Sequence, residues 1–383
     1  MKAFSKFLVF FFVGSLPLIG AENPKFPKNE MVKEDILKIL HQTATYNITR
    51  KFDASPRWNE NKRYDWVEGT YFAGLSEFYK YSKEKKYLDE MIKVGEECNW
   101  EPRGRPYDMN EYAIIQTYCD LYEKTGNFYM IDKSAFMAKM PFIRYVKPDI
   151  KTVNNPYVDE WWSWCDGLFM GPPAYARLGK LLNDKRYWDY MNENWWRTSD
   201  YLYNKKDSLF FRDDQRFSQR TANGNNVYWA RGNGWVIGGL CRTLDYLPKE
   251  YPTRASFEQQ YVEMMTKLGK LQTAEGFWPP SLLDYNQYPF KESSGTAFYC
   301  YGFAWGINNG LLDKEKYLPI VVKAWNFLTS CRLPNGALGF VQPVGGEPDK
   351  VKSENTQAYG EGAFLMAGAE ILKLLDRSTT TKK

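Results

Sequence analysis

Apolar side chains recur along most of this chain at helical rather than alternating spacing. Twelve stretches carry the i, i+3, i+4, i+7 pattern of a helix with one buried face: Glu30–Ile48, Trp66–Ser82, Lys86–Cys98, Met109–Thr125, Met130–Tyr145, Asp166–Leu182, Arg186–Tyr203, Gly232–Tyr246, Arg254–Leu271, Ser294–Leu311, Lys314–Cys331 and Thr356–Leu375. Little of the remainder reads as strand. A degenerate repeat marks several junctions, in which a tight polar turn is followed by an aromatic that opens the next helix. Its instances are Tyr81-Ser82-Lys83-Glu84-Lys85-Lys86-Tyr87, Thr125-Gly126-Asn127-Phe128-Tyr129, Asn183-Asp184-Lys185-Arg186-Tyr187 and Asp313-Lys314-Glu315-Lys316-Tyr317. Short turns of this kind make neighbouring helices antiparallel. The pattern therefore predicts an all-α fold of five or six helical hairpins. Repeated about an axis, they close into a double ring of inner and outer helices; an open solenoid is the alternative. The final helix favours closure, because it is apolar and Gly-rich where a solenoid needs a polar end cap.

Alternation of inner and outer helices has a consequence for chemistry. Every even-numbered helix then starts at the same mouth of the ring, which brings together Asp65-Trp66, Asp108, Asp166, Arg231, Ser294-Gly295 and residues 354–361. The longer connections, Tyr145–Trp164, Asn204–Tyr228, Gln272–Ser293 and Leu333–Glu354, fall at that mouth too, where function is expected. The richest stretch is Trp161-Trp162-Ser163-Trp164-Cys165-Asp166-Gly167-Leu168-Phe169-Met170-Gly171-Pro172-Pro173. Taken alone, its aspartate is explained more readily by the unpaired N–H groups of a helix start, with the tryptophans as core, than by an acid held between flat apolar faces, as sugar sites require. Convergence of acids, an arginine and aromatics on one mouth favours the second. Asp65 reads as a helix cap, and Glu361, between Gly360 and Gly362, as a barrel-floor acid or one half of an ion pair.

Composition adds limits rather than detail. The 383 residues, 44% hydrophobic with a net charge of +5, suffice for a large core, and no compositional shift marks a boundary, so residues 22–383 read as a single domain. Basic residues are mixed with acidic ones, without the stripe of a nucleic-acid binder. Aromatic residues reach 17%, with 14 Trp and 28 Tyr, and aromatic faces dock on sugars as well as filling cores. Residues 1–21 read as a secretory signal: Lys2 and Lys6, an apolar run from Phe7 to Ile19, then Gly20-Ala21. Export to the periplasm or medium is expected, with no membrane span after signal removal. The six cysteines lack metal-ligand spacing, and a single histidine, His41, leaves no material for a Ser-His-Asp triad or a His-built metal site; no cofactor or metal is expected.

Two runs carry a likeness to a known family: Trp164-Cys165-Asp166-Gly167-Leu168-Phe169-Met170 and Trp229-Ala230-Arg231-Gly232-Asn233-Gly234-Trp235. Ser294-Gly295-Thr296-Ala297, Gly302-Phe303-Ala304-Trp305-Gly306-Ile307-Asn308 and Tyr359-Gly360-Glu361-Gly362-Ala363-Phe364-Leu365 support it in order along the chain. Together they resemble glycoside hydrolase family 105. The resemblance implies an (α/α)6 barrel that removes a 4,5-unsaturated uronic acid from the non-reducing end of oligosaccharides left by polysaccharide lyases. It implies Asp166 as the proton donor, Asp108 as a second carboxylate, and Trp164, Trp229, Arg231 and Trp235 around the sugar. The chain departs from the family where many members carry a histidine, reading Leu209-Phe210-Phe211-Arg212-Asp213-Asp214. Arg212 can take over that role.

An unsaturated uronide is an enol ether. One acid can protonate C4 and then assist water at C5, and we assign both steps to Asp166, with Asp108 and Trp164 raising its proton affinity. Arg231 is the first candidate to pair with the substrate carboxylate, unless it is a structural ion pair; Arg212 is the second. Trp66, Trp164, Trp229 and Trp235 are candidate sugar-stacking walls, or core. Two other functions remain open on sequence alone: a saturated-sugar hydrolase or polysaccharide lyase on the same fold, and a non-catalytic oligosaccharide-binding protein.

Overall fold

The repeated turns end a helix in a left-handed residue, cap the next helix, or do both. Lys83, Gly126 and Asn183 take φ of 58°, 71° and 50° after their helices. Asn127, Asp184 and Asp313 then accept a backbone N–H of the following turn or helix. The computed structural model describes residues 31–50, 63, 65–102, 104–144, 150–151 and 162–380. The expected signal over residues 1–21, Trp161 and most of the connection from Tyr145 lie outside the described residues.

Outer helices are α1 (Lys33–Thr49), α3 (Lys85–Glu97), α5 (Asp132–Ile143), α8 (Lys185–Leu202), α10 (Arg254–Gly269) and α12 (Lys314–Ser330). They alternate along the chain with inner helices α2 (Trp66–Ser82), α4 (Ile115–Thr125), α6 with α7 (Gly167–Met170, Pro172–Leu182), α9 (Ala230–Leu244), α11 (Ser293–Asn308) and α13 (Ala358–Thr380). Each inner helix packs on the next, α2 on α4, α4 on α7, α7 on α9, α9 on α11 and α11 on α13, and α13 returns to α2. The ring is closed, an (α/α)6 barrel, and the solenoid is excluded. A short hairpin of β1 (Tyr203–Asn204) and β2 (Leu209–Phe210) leads from α8 towards the mouth.

The inner and outer layers differ in composition for a physical reason. All fifteen residues of α9 are buried, as a helix apolar or small on every side must be. By contrast α3 buries only Tyr87, Met91, Val94 and Gly95 and leaves its charged side to solvent. Closure between the first and last inner helices depends on two glycines. A Cβ on Gly74 would lie 2.1 Å from the Gly362 carbonyl oxygen, and one on Gly362 would lie 2.4 Å from that of Thr70.

Two expected helices begin differently. The stretch Asp166–Leu182 breaks at Gly171, because Pro172 has no N–H to continue α6 and instead starts α7. Met109–Thr125 opens with a 3₁₀ turn, η1 (Met109–Tyr112), before α4. A Cβ on Gly171 would come within 2.5 Å of the Met109 sulfur, so the break lets η1 lie against α6. That contact brings the Asp108 and Asp166 turns to the same mouth.

The opposite end is sealed by charge. Glu77 of α2 lies 3.0 Å from both Lys80 and Arg242 of α9, and 3.7 Å from Arg177 of α7. Asp120 of α4 meets Arg177 at 3.1 Å and Lys80 at 3.2 Å. Asp245 accepts from Trp305 Nε1 of α11, and Asn308 of α11 donates to Glu370 of α13, which also holds Lys373 at 2.6 Å. All six inner helices contribute. Burial opposes charge on Glu77, yet Lys80 and Arg242 hold its carboxyl well below the usual range. Burial, with Glu77 and Glu370 nearby, pushes Asp245 up to about 6. Among the described residues no helix is long and apolar enough to cross a membrane.

Candidate active site

Asp166 stands where α6 begins and is 8% exposed. Its turn is fixed from both sides. The Cys165 N–H donates to the Arg212 carbonyl at 2.8 Å, and the Trp164 ring lies over Gly167, where a Cβ would be 3.5 Å from it. The Cys165 thiol reaches Asp166 Oδ1 at 3.6 Å. Burial pushes that thiol well above its usual range, so it stays a neutral donor. Gly232 makes room for it, because a Cβ there would be 3.1 Å from the sulfur and 2.9 Å from the Trp229 ring. On the other side Arg212 Nε lies 3.8 Å from Asp166 Oδ2, while its Nη1 donates to Asp213 at 2.5 Å. The arginine at the departure from the family pattern thus adjoins the candidate acid.

Asp108 caps η1, accepting from the Asn110 N–H at 2.9 Å. It does not stand as a bare charge. Arg105 Nη1 is 2.9 Å from Asp108 Oδ2, and Arg105 Nη2 is 2.5 Å from the buried Glu111. Sequence reasoning missed this clamp, although the spacing Arg105, Asp108, Glu111 was there to be read.

Arg231 occupies a position different from the one expected for a substrate ligand. Its Nη1 donates to the Gln342 carbonyl at 2.5 Å, and its Nη2 to those of Pro343 at 2.9 Å and Gly345 at 3.4 Å. The guanidinium is 1% exposed, sandwiched 4.4 Å from the Trp229 ring and 4.9 Å from that of Tyr359. It binds backbone rather than presenting a fork to solvent. The same holds for most of the expected sugar-stacking walls. Trp235 is 1% exposed and packs on Phe169, Phe298, Tyr359 and Trp66, with ring centroids 5.0, 4.7, 5.9 and 6.2 Å away. Trp229 gives its Nε1 to Gln342 Oε1 and one face to Arg231, and Trp164 is equally buried. All three indoles are buried. Trp66 is half-buried, stacked at 5.5 Å on Tyr359, and keeps part of its surface at the mouth.

Asp65 is a cap, as expected, accepting from the N–H groups of Val67 and Glu68. Glu361 accepts from Asn47, Thr356 and the Leu338 N–H, with burial pushing it up to about 7. It ties α1 and the 338–356 connection to α13. The residue that sequence gave no reason to single out is Gln342, 1% exposed and hydrogen-bonded to α9, to α13 and to Glu292. A cavity of about 560 Å³ lies at the sealed end, lined by Tyr251, Arg254, Glu258, Trp305 and Asn309 among others, and includes none of the candidate residues.

Comparison with known proteins fits this geometry. The family model described as Glycosyl Hydrolase Family 88 matches residues 39–375. A curated protein of Alteromonas sp. (strain LOR) named unsaturated 3S-rhamnoglycuronyl hydrolase is 34% identical, over 82% of this chain and 78% of its own. One of the same name from Formosa agariphila is 35% identical, over 81% and 85%. Among solved structures, one named a polysaccharide lyase superposes with a TM-score of 0.78 at 28% identity, covering 90% of this chain and 98% of that one. A possible member of family 105 from Salmonella enterica gives a TM-score of 0.77 at 18% identity, over 94% and 100%, and so shares the fold. With the family model spanning nearly all of the barrel, the chain belongs to glycosyl hydrolase family 88.

Proposed function

We propose that this protein removes a 4,5-unsaturated uronic acid from the non-reducing end of an oligosaccharide, with Asp166 as the acid. The observation that carries the reading is the placement of Asp166: at the mouth, still reached by solvent, and beside an arginine that can take the uronate carboxylate. On their own the thiol and the guanidinium favour its carboxylate form; a uronate paired with Arg212 offsets that charge and lets Asp166 hold the proton it gives. Asp166 gives its proton to C4, and positive charge develops at C5, shared with the ring oxygen. Water adds at C5 and returns a proton to the Asp166 carboxylate. The resulting hemiketal opens by cleavage of the bond from C5 to the ring oxygen, leaving a ketone at C5. C1, now a hemiacetal carbon, expels the following sugar as an alcohol and becomes an aldehyde. Arg212 takes the role of pairing with the uronate carboxylate, since both terminal nitrogens of Arg231 are engaged by backbone. All six inner helices start at the mouth, and the positive ends of their dipoles favour an anionic sugar there. From the name shared by the curated relatives, we take the following sugar to be rhamnose bearing a 3-sulfate.

Asp166→Asn tests the assignment. Turnover, followed as loss of the ultraviolet absorbance of the enol ether, is expected to fall by about 10²–10⁴-fold with the circular dichroism unchanged. A folded variant at the wild-type rate would overturn the role of Asp166. Reaction in D₂O places deuterium at C4 of the product if the proton comes as described. Appearance of absorbance from a saturated polymer would instead identify a lyase.

A further inference from the structure

The segment Gln342-Pro343-Val344-Gly345-Gly346-Glu347 crosses the mouth as a strap, exposed from Pro343 to Glu347 except at half-buried Gly346, yet fastened at Gln342, Pro343, Gly345 and Glu347. Gln342 is its root and uses all its polar groups. Its N–H donates to Glu292 at 3.3 Å, and its carbonyl accepts from Arg231 and from the Tyr359 hydroxyl, each at 2.5 Å. Its side-chain oxygen accepts from Trp229 Nε1 at 2.9 Å, and its side-chain nitrogen donates to the Glu347 carbonyl at 2.7 Å. The last bond closes the strap on itself. Arg231 then pins the Pro343 and Gly345 carbonyls.

The far side of the strap meets Arg212. A Cβ on Gly346 would lie 3.4, 3.5 and 3.7 Å from Arg212 Nε, Cζ and Nη2. Three nearly equal distances mean that the glycine backs onto the flat face of the guanidinium. A second fastening joins the same two segments, as Arg216 Nη1 lies 2.6 Å from Glu347. The guanidinium is thereby bounded by Gly346 on its face, Asp213 at Nη1 and Asp166 beyond Nε.

We infer that Gln342 is a positioning residue for the reaction: together with Arg231 it holds the strap 342–347 against Arg212, and so fixes that guanidinium beside Asp166. The inference rests on the reading of Asp166 and Arg212 given above and adds to it a residue that touches neither. Arg231 acts at one remove from the substrate, through the strap. Positioning of this kind acts on rate steeply, because displacement of a reacting group by about 1 Å can cost about 10²-fold.

A double-mutant comparison separates positioning from a merely structural role. Gln342→Ala is expected to lower kcat/KM by roughly 10–100-fold in the wild-type background, and to have little further effect once Arg212→Ala has been made. Glu347→Gln weakens only the outer fastening. It should give a smaller loss of the same kind, again absent in the Arg212→Ala background, and it keeps the test open should Gln342→Ala fail to fold. Losses that multiply in the double variants, or wild-type kinetics in both single variants, would overturn the inference. Asp166→Asn is measured alongside. If it retains activity, the reading of the site is at fault; if it is inactive while the losses multiply, only the strap is.

Discussion

At the scale of single residues, the mouth holds buried acids whose neighbours give each a different task. Glu361 is the clearest to test away from catalysis. Burial lifts it from 4.5 to about 7, so the folded state holds the proton more tightly than the unfolded chain. Its linkage therefore lowers stability as pH rises from about 4.5 to about 7, with the full penalty present above that window, up to about 3 kcal/mol. Glu361→Gln keeps an acceptor for Thr356 and Leu338, but sets its new amide against Asn47 Nδ2, which is held in place by Arg50 Nε on Asn47 Oδ1 at 3.0 Å. We expect the variant to flatten the dependence of Tm on pH across that window, with an offset in Tm that does not vary with pH. A Tm profile parallel to the wild type would show that burial does not set this charge. Cys165 offers a subtler case. Because its protonated thiol donates to Asp166, Cys165→Ala should displace the pH dependence of kcat/KM while leaving Tm nearly unchanged, and Cys165→Ser should restore the wild-type profile at least in part.

At the scale of elements, the crossing of α2 and α13 is the point where the ring closes. Gly74→Ala places a methyl 2.1 Å from the Gly362 carbonyl, against backbone that cannot rotate away. The helices must separate, and overpacking of this sort costs about 1–3 kcal/mol, occasionally more. A lower midpoint in urea is the expected result. Periodicity made these helices legible: Trp66–Ser82 is found at the expected bounds, and most others begin and end within three residues of them. It failed at Gly171-Pro172 and at Met109, where apolar spacing continues through a break that only backbone chemistry explains. The acids were legible because helix starts share a mouth. What those groups touch was not. Arg231, Trp229 and Gln342 meet across more than a hundred residues of sequence, and no local pattern tells whether an arginine at a helix start will face a ligand or a strap of backbone.

At the scale of the whole molecule, the two ends of the barrel are built to opposite purposes. Acids and bases from five of the inner helices, with Trp305 and Asn308 of the sixth, fill one end, and removal of one member of a buried pair typically costs about 3–5 kcal/mol. Arg242→Met, which leaves Glu77 with fewer cations, should lower Tm strongly while KM stays at the wild-type value, since the change lies far from the mouth along α9. Raised KM at unchanged Tm would mean that the two ends communicate. The stopper also decides traffic. A vessel with a single opening cannot pass a polymer through; it admits a chain tip, and whatever is cut free must back out by the door it came in. Release and entry then contend for one passage, so the freed keto sugar should slow its own enzyme by competing with fresh chain ends, and longer chains should gain nothing beyond the few units that fit inside the rim.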